Sequence, residues 1–457
     1  MRGKIGRIWL FLALILSLSL VFFGSCPTPN NNNNNNNNKP VPPPPPPPPP
    51  PGLDNSDPLN PGQQMPNKWA IEYFKDENIL AGWNLGNQFD APQETSWIST
   101  AVNQAQMNGL KAAGFDLVRI PITWTSKRDS NKLPTETILT RLDEVLGYAE
   151  TAGLKVMINT HHDDSWFSMS SALQNQTNRD TITNEFSALW TAIANKFKNK
   201  GYWLMFEGLN EPKYGEQWTL PANQQTAKTY TDLVAEWNQA FVSAVRATGG
   251  NNSYRYLVIK GYVARWSSTP DIINNMPQDV VPGRQVVSFH YYQPESVGLG
   301  NETDIGPPST YNWGSSAQKN KVDADLRSYN EVFISKNYPV LIGECGATRQ
   351  VYTQSYTGHP PSGTLFTAAE LTASAHESRQ LYLEHLYKTG KKYSLVPVYW
   401  DNGTFGGSGT TIYRETFGLF DRSTGLPYNV ANTWEFAECI EAMIKAVKPT
   451  HVFPWRN

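Results

Sequence analysis

Cysteine is nearly absent from this chain. Three residues, Cys26, Cys345 and Cys439, are spread over 457 positions, which is too few for a disulfide framework. Charge is also sparse: Asp, Glu, Lys and Arg make up 17% of the chain and the net charge is −2. No basic block or stripe stands out, so the electrostatic footprint of a nucleic-acid binder is missing. A single long apolar run occurs, over residues 8–23, and it is short for a membrane span. Aromatics, by contrast, are plentiful at 12%, with 15 Trp. An indole offers a flat apolar face and one polar N–H, which suits a sugar face as well as a protein core.

The apolar run follows Arg2, Lys4 and Arg7 and ends at Gly24-Ser25-Cys26. That is the order of an export signal, and residues 1–25 are expected to be a signal peptide. The small residues before Cys26 resemble a bacterial lipoprotein cleavage site, with Phe23 where that pattern usually has Leu. Lipidation of Cys26 as the first mature residue is one outcome, and plain cleavage is the other. An extracellular or cell-surface location is expected, with membrane contact only through such an anchor. Residues 30–38 are all Asn, and residues 40–51 are Pro apart from Val41. Neither stretch can bury a core, so 26–66 reads as a disordered Asn/Pro-rich linker, its Pro tract a polyproline II spacer of roughly 35 Å. From 67 to 457 the composition is globular with no second linker, which reads as a single domain. A monomer is expected. Cys345 and Cys439 are expected to be two buried thiols, with one bridge as the alternative.

Eight short apolar runs rich in β-branched residues lie at 79–86, 115–123, 154–160, 202–209, 256–261, 286–291, 339–343 and 395–400. Such runs read as strands buried on both faces. Helical patterns separate most of them. Ile138, Leu142, Val145, Leu146 and Ala149 share one face, as do Tyr230, Leu233, Val234, Trp237, Phe241 and Val245, and as do Val322, Leu326, Tyr329 and Phe333. The connection after the fifth run is short and weakly helical. Eight strand–helix units argue for a (β/α)8 TIM barrel, with a doubly wound open sheet as the alternative.

In a barrel the strand C-termini converge on one face, and here those ends are polar. They carry Asn84 and Asn87, Arg119, His161-His162-Asp163, Glu207 with Asn210-Glu211, His290 and Tyr292, Glu344, and Trp400. Two carboxylates on facing strands suit hydrolysis of a glycosidic bond. One protonates the leaving oxygen while the other attacks the anomeric carbon, and water then opens the covalent intermediate. Arg119 could hold Glu344 ionised by charge pairing. Asn210 could bond a sugar 2-OH, Tyr292 could bond the nucleophile, and Trp400 could form the floor beneath the sugar being cleaved.

Asn-Glu-Pro at 210–212 and Ile-Gly-Glu at 342–344 resemble the two signatures of family 5 glycoside hydrolases. The resemblance continues through Gly-Trp-Asn-Leu-Gly-Asn at 82–87, Val-Arg-Ile-Pro at 118–121, His161-His162, His-Tyr-Tyr at 290–292 and Trp-Asp-Asn-Gly at 400–403, so it spans residues 79–403. Each motif is weak, but the ordered set is specific. With Phe-Glu-Gly-Leu-Asn-Glu-Pro at 206–212, it is most similar to the subfamily 4 endoglucanases. The resemblance implies a retaining endo-β-1,4-glucanase with Glu211 as acid/base and Glu344 as nucleophile. It also implies a supporting shell of Arg119, His161, Asn210, His290, Tyr292 and Trp400, to which His162 and Asn87 are added as further candidates. The family usually has an aromatic after the nucleophile. Here it is Cys345, expected to point away from the bond being cleaved.

Other readings stand beside this one. The same catalytic pair could serve xyloglucan, xylan, mannan or mixed-linkage glucan, and a surface receptor for glycans would use the same groove without the chemistry. Glu207 reads as a buried partner of the site. Neighbouring residues on a strand face opposite ways, so His161, His162 and Asp163 make a poor chelate, and neither metal nor cofactor is expected. Trp97, Trp166, Trp218, Trp266 and Trp313 are candidate sugar platforms. A polysaccharide is the expected partner.

Overall fold

The computed structural model describes residues 68–299, 313–352, 355–357, 365–405, 416–429 and 434–456. The expected signal peptide, the lipidation site at Cys26 and the Asn/Pro linker lie outside the described residues.

Eight parallel strands close on themselves: β1 (Gly82–Leu85), β2 (Leu117–Ile120), β3 (Lys155–Asn159), β4 (Leu204–Glu207), β5 (Leu257–Arg265), β6 (Gln285–Tyr291), β7 (Val340–Cys345) and, after a small antiparallel ribbon of β8 (Tyr356–Thr357) and β9 (Leu365–Phe366), β10 (Leu395–Asp401). Each of the eight expected runs overlaps one barrel strand. The last strand, β10, pairs with β1 through Gly82–Val398 and Asn84–Trp400, and that closure excludes the open sheet. Trp83 Nε1 reinforces the seam by donating to Asp401 Oδ2 at 3.1 Å, with the Arg422 guanidinium 4.5 Å from the Trp83 ring.

The long helices follow the apolar faces in the sequence. In the helix Glu136–Thr151, Leu142, Val145, Leu146 and Ala149 are buried and Ile138 is half-buried, and the Thr135 hydroxyl caps its start. In the helix Gln224–Ala247 all six face residues are buried. In the helix Ser316–Val332, Ser315 and Gln318 form a reciprocal cap. The weakly helical link after β5 is a 3-10 segment, Thr269–Asn274.

Inside the barrel, alternate residues of each strand change character with height. Leu117, Met157, Met205, Val258 and Leu341 form an apolar lower layer with Tyr73 and Phe74 of the helix Ala70–Asp76 beneath them. Two residues further along their strands stand Arg119, Asn159, Glu207, Lys260 and Gly343. The period of two that seals the bottom therefore raises a polar layer directly above it. β5 is longer than its apolar run suggests. Its pairing with β6 slips between Lys260 and Arg265, where Val263 and Ala264 have φ of 56° and 49°. A β-branched residue there is strained. Val263 N–H donates to Pro212 O at 2.9 Å, tying this bulge to the loop that carries Glu211.

Candidate active site

Arg119 is the centre of the polar layer. It is fully buried and uses its whole fork: Nε donates to Glu207 Oε2 at 2.7 Å, Nη1 to Glu344 Oε1 at 2.7 Å and Asn84 Oδ1 at 3.0 Å, and Nη2 to Asn210 Oδ1 at 2.8 Å. Because a guanidinium only donates, Asn210 turns its oxygen inward and keeps its amide N–H groups for other partners. Glu344, at the C-terminal end of β7, also accepts from Tyr292 Oη at 3.1 Å. Burial, and then the charge of Glu344, push the Tyr292 phenol well above its ordinary range, so it remains a donor.

Glu211 sits across from Glu344. One oxygen of each carboxylate and Nδ1 of His290 all lie within 4.8 Å of one another. His290 Nδ1 is 2.7 Å from Glu211 Oε1 and 3.6 Å from Glu344 Oε2. Burial and the neighbouring Glu344 raise Glu211 to about 8. Burial also raises Glu344, but Arg119, Lys260 and Tyr292 oppose the rise. The pair therefore keeps its proton on Glu211, which lacks an arginine contact, while Glu344 stays ionised. Burial, together with Lys260 and Arg119, drives His290 well below its ordinary range, so the imidazole is neutral.

The remaining expected residues line the same cleft. Trp400 lies parallel to the His161 ring, 5.8 Å away at 9°. Gly86 permits this placement, since a Cβ there would fall 3.1 Å from the indole and 2.8 Å from Asp401 O. Asn87, in the left-handed region at φ 63°, turns the chain out of β1. His161 and His162 both face the cleft, with ring centroids 4.2 Å apart. The alternation argument fails at this point because β3 ends at Asn159, and the two imidazoles belong to the following loop.

Among the candidate platforms, Trp97 (52% exposed), Trp218 (46% exposed) and Trp266 line the cleft. Trp166 does not. Its N–H is bonded to Asp163 and the Arg128 guanidinium covers its ring at 4.0 Å. Trp313 is buried against Tyr382. Cys345 and Cys439 are both buried and unbridged, and the Cys345 thiol turns away from the cleft toward Val398 O.

Two buried polar residues near the site, Asp90 and Lys260, are not marked by the sequence pattern, and Asn84 is marked only as a polar strand end. Asp90 lines the cleft, accepts from the backbone N–H groups of Asn87 and Gln88, and is raised by burial to about 6. Asn84 accepts from Arg119 and donates to Gly343 O at 2.9 Å. Lys260 had no sequence signal at all.

Two carboxyl groups this close, one protonated and one held ionised, at the base of a tryptophan-walled groove on the C-terminal rim of a barrel, have the equipment for cleaving a glycosidic bond with a covalent intermediate. The fold and the cleft thus define the class, a barrel glycoside hydrolase. A family model described as cellulase, glycosyl hydrolase family 5, matches residues 86–406. Endoglucanase A of Clostridium longisporum is 31% identical over 390 residues, covering 82% of this chain and 66% of that protein. A xyloglucan-specific endo-β-1,4-glucanase of Bacteroides ovatus is 32% identical, covering 78% of this chain and 67% of its own length. Among solved structures, a GH5-4 broad-specificity endoglucanase from Bacteroides salanitronis superposes with a TM-score of 0.67 at 34% identity, covering 81% of this chain and 94% of that one. The chain belongs to glycosyl hydrolase family 5.

Proposed function

We propose that this protein is a retaining endo-β-1,4-glucanase in which Glu211 is the acid/base and Glu344 the nucleophile. The observation that carries the reading is the 4.8 Å grouping of the two carboxylates with His290. Oxygens that near each other leave little room between the carboxyls for the water of an inverting enzyme, whose carboxyls stand roughly 6.5–9.5 Å apart. Glu344 attacks the anomeric carbon as Glu211 gives its proton to the departing oxygen, leaving a glycosyl ester. Glu211, now ionised, takes a proton from water as that water attacks the same carbon and frees Glu344. Asn210 offers its amide N–H groups to the sugar 2-OH, and Trp400 supplies an apolar face beneath the ring. Action on internal β-1,4-glucosidic bonds is supported by the endoglucanase relatives. Xyloglucan is the second reading of the preferred chain, favoured by the Bacteroides ovatus relative of that name.

The test is a panel of soluble cellulose derivatives, mixed-linkage glucan, xyloglucan, xylan and mannan, with product sizing and proton NMR of the first product formed. Early β-anomer and mid-chain cleavage of a β-1,4-glucan are expected. An early α-anomer rejects retention. Cleavage of xylan or mannan alone rejects the glucan assignment, and failure to release reducing ends from any of the five would favour a binding protein.

The pH dependence follows from the two carboxyls. The acid must carry its proton, so kcat/KM is expected to fall as pH rises through about 8, where Glu211 ionises. The nucleophile must be ionised, so kcat/KM also falls on the acid side as Glu344 takes up a proton. A bell with no alkaline limb below pH 9 would remove Glu211 from the acid role.

A further inference from the structure

One buried cation beneath the carboxyl pair takes no part in the two-step reaction. Lys260, on β5, is fully buried beneath the acid/base. Its Nζ lies 2.8 Å from His290 Nε2 and 3.0 Å from Glu207 Oε1. His290 Nδ1 in turn faces Glu211 Oε1 at 2.7 Å. An ammonium has no lone pair, so the Nε2 it touches is the acceptor, and the ring proton is then on Nδ1, directed at Glu211. Gly343 makes room for this arrangement: a Cβ there would fall 2.3 Å from Ser288 Oγ and 3.1 Å from Lys260 Nζ.

We propose that Lys260 is a positioning residue for this reaction: it locks His290 in the Nδ1–H tautomer, whose N–H occupies Glu211 Oε1 and leaves Oε2 to carry the proton delivered to the leaving group. The inference rests on the reading of Glu211 as acid/base. Without Lys260 the imidazole is free to adopt the Nε2–H tautomer. Its bare Nδ1 would then accept the Glu211 proton in a hydrogen bond and turn it away from the sugar.

Lys260 also balances charge through the cycle. Before cleavage, with Glu211 protonated, Lys260 and Arg119 face the carboxylates Glu207 and Glu344. After the first step Glu344 is an ester and Glu211 is ionised, so two cations again face two carboxylates. Burial lowers the Lys260 ammonium to about 8, with Glu207 and Glu344 opposing that shift and Arg119 adding to it. The groups facing Lys260 and Glu211 are thus Glu207 from β4, Arg119 from β2, His290 from β6, Glu344 from β7, and Lys213 beyond the acid/base. Lys260 and Arg119 both lower Glu211 and Glu344.

Two measurements on the full chain test the proposal. Nitrogen-15 NMR of the histidine side chains in the wild-type protein is expected to find His290 protonated at Nδ1 and bare at Nε2. This readout does not depend on activity or on a variant that folds. In Lys260→Met, both limbs of the kcat/KM profile are expected to move to higher pH, because a positive charge near both carboxyls is gone. kcat/KM on polysaccharide is expected to fall about tenfold, but by less than about threefold on an aryl cellobioside whose leaving group needs no proton. An Nε2–H tautomer in the wild type overturns the proposal. So does a variant with an unmoved profile and equal losses on the two substrates, which would mark Lys260 as a buried ion-pair partner only. Failure of the acid/base reading itself would show elsewhere, as full polysaccharide turnover by Glu211→Gln.

Discussion

Replacing Glu344 by Gln is expected to lower kcat on a β-glucan by at least about 10⁴-fold, which is roughly 5.4 kcal/mol at 1.36 kcal/mol per tenfold. An amide oxygen cannot form the glycosyl ester, so the covalent route closes. The fold should survive. The Gln carbonyl can still accept from Arg119 or Tyr292, and Arg119 keeps its 2.7 Å pair with Glu207. The exchange also removes a negative charge that helps raise Glu211, so Glu211 should titrate below its wild-type value of about 8. Carbon-13 NMR of the labelled carboxyl groups measures that shift, and calorimetry reports the fold. Turnover within tenfold of the wild type in a folded variant would end the nucleophile assignment.

Glu211→Gln should behave differently, because it spares the attack and removes the proton transfers. On polysaccharide, kcat is expected to fall by about 10²–10⁴-fold, the usual worth of positioned acid/base catalysis. With a dinitrophenyl cellobioside the leaving group departs without a proton, so the first step should stay fast. The second step lacks its base, and the glycosyl ester should accumulate. A burst of dinitrophenol followed by slow turnover is the expected signature, and mass spectrometry should find the ester on Glu344. Azide, which attacks without general-base help, should restore turnover and give the β-glycosyl azide. Equal losses on the two substrates with no burst would place Glu211 outside the acid/base role.

Much of this architecture is visible in the chain itself. The strand runs and helix faces follow from patterning, because a barrel strand must be apolar on both sides and its helix on one. The polar strand ends are equally plain, and they pick out Arg119, Glu211 and Glu344. What patterning misses depends on the path of loops and on which way a buried residue points. Trp166 and Trp313 look like platforms beside Trp97 and Trp218, yet Arg128 covers one and Tyr382 packs on the other. His161 and His162 share the cleft because the strand stops two residues earlier than alternation assumes. Lys260 lies within an otherwise apolar run of β5. Nothing in that run shows what a buried lysine would meet, and only the Glu207 and Glu344 carboxylates and the His290 ring nitrogen make it tolerable inside.

The order of secondary structure and the polar strand ends that carry Glu211 and Glu344 were already determined by local pattern, since period-two and period-3.6 burial and strand-end chemistry are properties of neighbouring residues. The carboxyl spacing, the residence of the proton on Glu211 and the lysine beneath His290 were decided by barrel closure alone. Closure brings strands that are distant in sequence within hydrogen-bond reach in a place largely shielded from bulk solvent. There a guanidinium on one carboxylate and none on the other is enough to separate their protonation.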